Sequence, residues 1–318
     1  MPASAAADGP ITPVATDYLA RIHVIPAGLQ AKVVDGYLSL WVRAPASRRL
    51  VVLDYQGAPY LRFARNGVWE NRNSIEFYVN QVPVPATPPP GLTRSTPPHW
   101  IRVASGDSYT WREGRLHALT TIALAPGASY VGPWRIPVLI DGHRSGISGG
   151  IWHSASPSIV WFWPIVVLLA CVLAAWRVRS AELDRRLTRI LSLVLLGAIV
   201  VAALGRQLHG RPTIAAGQLV ILAVVLAAVA AATARILAGR SGRLMPFGIA
   251  LVSLWAGLTL APVLVRGYVL VALPPFLARS ATALLLGGSL GLVLIAARTL
   301  AGDRITAGEP SQTSTALT

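Results

Sequence analysis

The apolar stretch SPSIVWFWPIVVLLACVLAAW, residues 156–176, decides the organisation of this chain. It is about as long as the ~20 apolar residues that a helix needs to cross the hydrocarbon core of a bilayer. Trp161 and Trp163 lie near its start and Trp176 at its end, and such aromatic residues are typical of membrane–water interfaces. We therefore predict that a transmembrane helix begins near residue 156 and that the chain changes character there.

Four more apolar stretches predict an α-helical membrane domain of about five transmembrane helices over residues 156–298. The segment Gly267–Pro275 is also apolar, but it is short and ends in two prolines, so we interpret it as an interfacial or re-entrant loop. The four further predicted helices are Leu187–Gly205, Thr213–Ala234, Leu244–Val265 and Ala281–Ala297.

The composition supports a membrane protein. The 318 residues have a mean hydropathy of +0.55 and only 13% of them are charged, whereas soluble domains carry about 25%. Of the formal net charge of +15, +10 lies in residues 157–318, in short clusters between apolar runs. A nucleic-acid-binding protein would instead carry a basic face on a soluble domain. These features exclude a purely soluble enzyme, a disordered chain and a nucleic-acid partner.

The arginines are distributed unevenly between the two sides of the predicted helices. The loops after the first and third helices and the C-terminal tail carry ten, and the opposite side carries four. Because cytoplasmic loops carry the arginine and lysine excess, we predict that residues 299–318 are a disordered cytoplasmic tail. With five helices, the residues before the first helix lie outside the plasma membrane.

Residues 17–155 predict an all-β extracytoplasmic domain. In Tyr37–Ala44, the aliphatic residues Leu38, Leu40 and Val42 recur at every second position, which is the period of a half-buried strand. Seven or more such segments in about 140 residues, separated by turn signals such as Asp141-Gly142, favour an immunoglobulin-like sandwich. The other predicted strands are Tyr18–Pro26, Arg49–Tyr55, Pro59–Arg65, His99–Ser105, Leu116–Leu124, Trp134–Ile140 and Ser145–His153.

Two segments are predicted to form no strand. Residues 1–16 are predicted to be disordered, and they lack the basic and apolar regions of a signal peptide. For the β domain to lie outside, either a signal peptide has been removed, the start of the chain is placed too late, or the first helix carries a long N-terminal tail across. The proline-rich Val82–Pro98 is predicted to be an extended surface loop.

Four stretches carry a resemblance to a known family: VVLDYQGAPYLRFARNGVWENRNSIEFYVNQ (51–81), VPVPA (82–86), PPHWIRVASGDSYTWREGRLH (97–117) and WRIPVLIDG (134–142). They resemble a family of uncharacterised actinobacterial membrane proteins, in which an extracytoplasmic β-sandwich domain is followed by several transmembrane helices. The resemblance covers most of residues 17–155 and implies an architecture but no established activity. Many members carry a Trp-His-Asp-His-Arg-x-His-Trp-type cluster, which Trp111, Arg115 and His117 match here.

The resemblance makes His117 the candidate metal ligand, since a histidine cluster in an oxidising compartment would suit copper. One imidazole is not enough for a transition-metal site, and Arg112 and Arg115 would repel a cation. We therefore predict no tight copper binding by residues 111–118. His143 and His153 could meet across a hairpin, although ordinary strand histidines are the favoured interpretation.

No motif of enzyme chemistry is present: there is no G-x-S-x-G, P-loop or H-E-x-x-H. Asp107 and Glu113 are interpreted as turn and strand-edge charges rather than as an acid–base pair. We therefore predict no enzymatic activity and no cofactor. The conspicuous polar patch around Trp69-Glu70-Asn71 could be a recognition edge, with a satisfied loop as the favoured interpretation.

The predicted membrane helices carry almost no chemistry, because the interiors of the last four contain no ionisable residue. Gln218 is predicted to hydrogen-bond between helices, and Gly197, Gly217, Gly257 and Gly288 are predicted to lie at helix contacts. The sequence thus favours a non-enzymatic integral membrane protein that presents its β domain to an extracytoplasmic or membrane protein partner. A copper-handling accessory protein and a transporter subunit are the alternatives.

Overall fold

The computed structural model describes residues 14–81, 84–117, 128–177, 180–210, 213–242 and 244–307. The chain divides into two compact units, which we call the β unit and the helical unit. The β unit ends at Ser156 and also includes the short segment Arg266–Leu270. The remainder of the chain after residue 156, apart from residues 211–213, forms the helical unit. The predicted change of character near residue 156 therefore coincides with the boundary between the units.

The β unit contains twelve strands and one short helix among the described residues. The strands are β1 (Ala15–Thr16), β2 (Tyr18–Val24), β3 (Gln30–Val34), β4 (Ser39–Arg43), β5 (Leu50–Leu53), β6 (Pro59–Ala64), β7 (Gly67–Asn71), β8 (Trp100–Ala104), β9 (Ser108–Arg112), β10 (Tyr130–Ile140), β11 (His143–His153) and β12 (Tyr268–Val269). Helix α1 (Ile75–Val79) follows β7, and a 3₁₀ turn (Gly114–Leu116) follows β9.

The strands form three antiparallel sheets. The largest has seven strands in the order β2-β11-β10-β5-β6-β7-β8, the second has the order β3-β4-β9, and β1 pairs with β12. A β-rich N-terminal half is therefore confirmed. The seven-plus-three distribution differs from the four-plus-three sheets of an immunoglobulin constant-type domain, because hairpin after hairpin extends one sheet instead of alternating between two.

The core of the β unit is built from the alternating residues that the sequence predicted to face inward. Leu40 and Val42 of β4 are fully buried, as are Val52 of β5 and Val138 of β10. All four belong to one apolar cluster. Burial of a Val or Leu side chain contributes about 1.5–3 kcal/mol, so these positions fix which face of each strand points to solvent.

Two features define the long β10–β11 hairpin: its tight turn and the close approach of β11 to β2. Its turn is Asp141-Gly142, where both residues have positive φ, 52° and 86°, as the favoured two-residue hairpin turn requires. Further along, a β-carbon on Gly149 would lie 1.8 Å from the carbonyl oxygen of Arg21 in β2. A residue without a side chain is therefore necessary where β11 meets β2.

The helical unit contains six helices among its described residues. They are α2 (Trp163–Arg177), preceded by a 3₁₀ turn (Ile159–Phe162), α3 (Ala181–Gln207), α4 (Ala216–Leu237), α5 (Leu244–Leu260), α6 (Pro262–Val265) and α7 (Pro275–Ala307). Three helical segments are long and apolar enough to cross a membrane, by length and composition: Glu182–Gln207, Ala216–Leu237 and Pro275–Arg298.

The prediction of five membrane-spanning helices is therefore corrected to three that meet the length criterion. The first predicted helix is shortened because its start forms a 3₁₀ turn, which leaves 15 residues in α2. The fourth ends as a regular helix at Leu260, since Pro262 has no N–H to donate to the preceding turn. Both α2 and α5 are apolar but shorter than 18 residues.

Helix α7 contacts α2, α3 and α5 through small residues. A β-carbon on Gly291 would lie 2.6 Å from Val172 of α2, one on Gly288 3.1 Å from Leu195 of α3, and one on Gly257 of α5 3.0 Å from Leu286. The predicted contacts at Gly257 and Gly288 are confirmed. Those at Gly197 and Gly217 are wrong, since no described atom lies within 4 Å of a β-carbon there.

Several other predicted segments differ. Val14–Thr16, predicted to be disordered, lie in or next to β1, and the predicted membrane loop Gly267–Pro275 contributes β12 to the β unit. Helix α7 continues to Ala307, into the tail that was predicted to be disordered. Gln218 does not bridge helices, because its side chain accepts a hydrogen bond from the N–H of Ala215 at the start of α4 (2.8 Å). Residues 1–13, 118–127 and 308–318 lie outside the described residues, and with them most of the predicted strand Leu116–Leu124.

Candidate functional site

A continuous cross-strand row of side chains crosses the outer face of the seven-stranded sheet. Directly paired residues of an antiparallel sheet project to the same face. Each residue of this row is the direct partner of the next one, from β8 through β7, β6, β5 and β10 to β11. None of the members is buried. We call this set the outer row: Arg102, Trp69, Arg62, Val51, Leu139 and Arg144.

Near one end of the outer row, Arg62 contacts two tryptophan rings. Its guanidinium carbon lies 5.4 Å from the ring centre of Trp69 and 4.7 Å from that of Trp100. Burial and the charge of Arg49 lower the pKa of Arg62, but an arginine remains charged at neutral pH. Contact with two indole rings restricts the guanidinium group, so the row presents a positive charge between aromatic side chains.

A second charged cluster is buried inside the β unit. Glu76 of α1 and Glu113, which follows β9, are both fully buried. Arg115 joins them, since its Nη2 donates to Glu76 Oε1 at 2.8 Å and to Glu113 Oε2 at 2.8 Å. Trp111 Nε1 also donates to Glu113 Oε2 at 3.0 Å, and Arg115 Nη1 donates to the carbonyl of Leu53 at 2.9 Å. The cluster therefore ties β5, α1, β9 and the following turn together.

The two carboxyl groups have opposite pKa shifts. Burial and the neighbouring Glu113 raise the pKa of Glu76 well above its ordinary value. Burial alone would also raise the pKa of Glu113, but Arg115 and the hydrogen bonds from Arg115 and Trp111 lower it. A proton taken up by this pair therefore resides on Glu76, while Glu113 keeps its charge. Neither has exposed surface to offer a substrate, so we assign the cluster a structural role.

His117 sits in a satisfied environment beside this cluster. Its Nε2 lies 3.2 Å from the carbonyl oxygen of Leu38, and its ring packs edge-on against Tyr37 with centres 5.5 Å apart. Burial lowers its pKa. No group of three or more His, Cys, Asp or Glu side chains in the described part of the chain could hold a metal ion. The assignment of His117 as a metal ligand stays a prediction.

The other residues singled out from the sequence do not converge. His143 and His153 occupy opposite ends of the single strand β11, so they cannot meet across a hairpin as we had considered. Asp107 pairs with Arg43 at 2.8 Å and is separate from the buried Glu113. The polar patch forms β7, which lies between β6 and β8 and is not a sheet edge. Within it, Asn71 is a structural residue, since its Oδ1 accepts from the N–H groups of Asn73 and His99.

The sequence contained part of the information needed to find the outer row. Arg62 and Arg102 occupy outward positions of predicted strands, which the alternation identifies, whereas Arg144 lies just outside the predicted strand Ser145–His153. The pairing of strands distant in sequence, which brings the arginines together, has no counterpart in the local pattern.

Comparison of the chain with known protein families, with curated proteins and with solved structures finds no match.

Proposed function

We propose that this protein is a non-enzymatic integral membrane protein whose β domain binds an acidic partner protein at the cell envelope. The observation that carries the proposal is the outer row, which contains three arginines and no carboxylate. Four of the carboxylates of the β unit, those of Asp54, Glu70, Glu76 and Glu113, are buried. Their burial keeps them away from the solvent-facing side of the sheet that carries the outer row, so the domain presents more positive charge there than its net charge suggests.

The chemistry of the outer row suits a protein partner. Arginine and tryptophan are enriched in protein–protein interfaces and among the residues that dominate binding energy. Val51 and Leu139 place apolar surface between the charged ends of the row. Complementary charge on the partner would speed association and select against basic surfaces.

The helical unit supports membrane anchorage and an orientation. Arg189 near the start of α3 donates to the carbonyl of Leu237 at the end of α4 (3.4 Å), and Arg298 of α7 lies 3.5 Å from Asp184. The arginine-rich ends of three helices therefore lie together at one end of the unit. Under the positive-inside rule that end faces the cytoplasm.

The direction of the helices suggests how the chain passes through the bilayer. Helix α2 runs parallel to α7, because Leu168 and Val172 contact Gly287 and Gly291 in the same order. Helix α5 runs antiparallel to α7, since Gly257 contacts Leu286, whereas Val263 beyond the end of α5 accepts from Arg279 near the start of α7. It therefore returns the chain from the end of α4 to the start of α7. Its 17 residues rise about 25 Å, close to the ~30 Å hydrocarbon core, and short helices are accommodated by local thinning. We propose that α2 and α5 pass through the bilayer beside the three longer helices, which leaves the β domain outside.

Reporter fusions test the orientation. Fusions after Arg179 and Arg240 should report a cytoplasmic position and a fusion after His209 an external one. An external signal at Arg179 would reverse the orientation and place the β domain in the cytoplasm.

Binding of an acidic polypeptide tests the partner surface. The full chain, purified in an uncharged detergent, is titrated into fluorescein-labelled polyglutamate and followed by anisotropy. Arg102→Glu in the outer row should weaken binding at least tenfold. Arg112→Glu is the matched control, since Arg112 is equally exposed but lies on β9 of the other sheet. Equal weakening by both variants would show that only net charge matters and would contradict the proposal.

A further inference from the structure

We propose that a cleft at the Arg144 end of the outer row binds a phosphate group. The cleft has a volume of about 250 Å³. Three arginines from separate parts of the β unit line it, together with small and apolar residues. The lining includes Arg94, Arg135, Arg144, Gly57, Ser145 and Pro137.

The fold brings the three guanidinium groups together from distant sequence positions. Arg135 lies on β10 and Arg144 on the paired strand β11. Arg94 comes from the proline-rich loop, which is held in place locally. The N–H of Thr93 donates to Thr96 Oγ1 at 2.9 Å, and Asn73 Nδ2 donates to the carbonyl of Pro97 at 2.8 Å. The proline-rich segment, which the sequence predicted only to be an extended surface loop, thus supplies one wall of the cleft.

Two arginine side chains of the cleft lie against glycines. A β-carbon on Gly146 would lie only 2.8 Å from Arg135 Nε, so the glycine leaves room for that side chain, and the β-carbon position on Gly57 is at an ordinary contact distance of 3.7 Å from Arg94 Nε. Gly57 belongs to a fixed turn, because Asp54 Oδ1 accepts from the N–H groups of Gln56 and Ala58. The side chains therefore line a wall that is already formed.

The charges of the cleft are not compensated by the protein. Within the described part of the chain, the structure shows no ion pair and no hydrogen bond for Arg94, Arg135 or Arg144. Three cations that line one concave surface create a positive potential that attracts an anion. Among the described residues no carboxylate lines the cleft, so its donor set favours an anion over a metal cation.

The size and donor set favour a phosphate over other anions. Guanidinium groups bind phosphate oxygens through paired hydrogen bonds, and three of them can surround a tetrahedral dianion. The volume exceeds the ~30 Å³ share of one water but is below the ~300–1,000 Å³ of pockets for drug-sized ligands. A phosphate on a small carbon-containing group fits, with Pro137 and Val138 beside the carbon atoms.

Calorimetry on the full chain in uncharged detergent tests the site with three probes. They are inorganic phosphate, glycerol 3-phosphate, and dihexanoyl-phosphatidylglycerol below its micellar concentration. Binding of the first two identifies a free phosphate or monoester as the ligand, and preference for the third identifies a lipid headgroup. Both results support the phosphate site. Absence of binding for all three overturns it.

Substitutions of the cleft arginines test whether phosphate binds in the cleft. Arg135→Gln and Arg94→Gln should each weaken binding at least tenfold, while the matched control Arg112→Gln should not change it. All three side chains are exposed, so unfolding is not expected, and an unchanged circular dichroism spectrum verifies this. Equal affinity of Arg135→Gln and the unsubstituted protein would refute the site. The inference is separate from the proposed function: Arg102→Glu should weaken polyglutamate binding at least tenfold and leave phosphate binding intact, so either proposal can fail alone.

Discussion

Arg115 Nη2 donates to both carboxyl oxygens of Glu76, at 2.8 and 2.9 Å, from a position where it also contacts Glu113. One cation therefore serves two fully buried carboxyl groups. A second buried negative charge would be uncompensated, so the arrangement is stable only if one of the two carries a proton. The directions of the pKa shifts assign that proton to Glu76.

We predict that Glu113→Gln destabilises the β unit far more than Glu76→Gln. Glu113 accepts from the N–H and Nε of Arg115 and from Trp111, so its replacement removes the ionised carboxylate that these buried donors contact, a change that costs about 3–5 kcal/mol. A glutamine at 76 can replace a neutral carboxyl group, with a loss of about 1 kcal/mol. Thermal unfolding of the full chain, followed by near-ultraviolet circular dichroism, measures both. Similar losses for the two variants would contradict the assignment of the proton.

Glu76 and Glu113 together predict that the free energy of unfolding falls at low pH and again at high pH, on an acid limb and an alkaline limb of the pH profile. Because the pKa of Glu113 is lower in the folded protein than its ordinary value of 4.5, the stability it contributes is present above that value. It is lost as the pH falls through the folded pKa. The pKa of Glu76 is raised, so its contribution is present below 4.5 and is lost as the pH rises through its folded pKa. Unfolding temperatures across the pH range should show that Glu76→Gln flattens the alkaline limb only. An unchanged alkaline limb in this variant would mean that another group controls it.

The strands whose side chains alternate between core and solvent could be predicted from the sequence. Tyr37–Ala44 and Pro59–Arg65 match β4 and β6 because burial of one face imposes the period of two. Strands β3, β7 and β9 were missed, since polar residues interrupt the apolar alternation in each. Strand β12 could not be found, because an apolar pair of residues between two helices has no local feature that predicts pairing with β1.

The candidate site depended on information that local patterns do not contain. The alternation shows that Arg62 and Arg102 face outward, but only the register of β6, β7 and β8 places them in one row with Trp69. Arg94 reaches the cleft through a loop that contains no regular structure. The buried cluster likewise requires α1 to meet the turn after β9. Its two carboxyl groups, those of Glu76 and Glu113, are 37 positions apart in the sequence.

A substitution in β11 tests the close approach of its backbone to that of the neighbouring strand β2. Gly149→Ala would place a β-carbon 1.8 Å from the carbonyl oxygen of Arg21 and 2.7 Å from the ring of Trp134. A backbone clash cannot be relieved by rotating a side chain, so we expect a loss of at least the ~1–3 kcal/mol typical of overpacking. Gly132→Ala in β10 is the control, since no described atom lies within 4 Å there. Its effect should stay within about 0.5 kcal/mol. Equal unfolding temperatures for the two variants would show that β2 can move away from β11.

A pair of glycine substitutions tests the packing of the helical unit. Gly288→Leu would push α7 away from α3, because a β-carbon at this position already lies 3.1 Å from Leu195. We expect a loss of about 1–3 kcal/mol, measured as a lower sodium dodecyl sulfate fraction at the unfolding midpoint in mixed micelles. Gly197→Leu makes the same change in size at an exposed position of α3 without a described neighbour within 4 Å. It should leave the midpoint unchanged, since a leucine there meets lipid or detergent rather than another helix. A larger effect at Gly197 than at Gly288 would indicate that α3 packs through its opposite face, which would contradict the contact between Gly288 and Leu195.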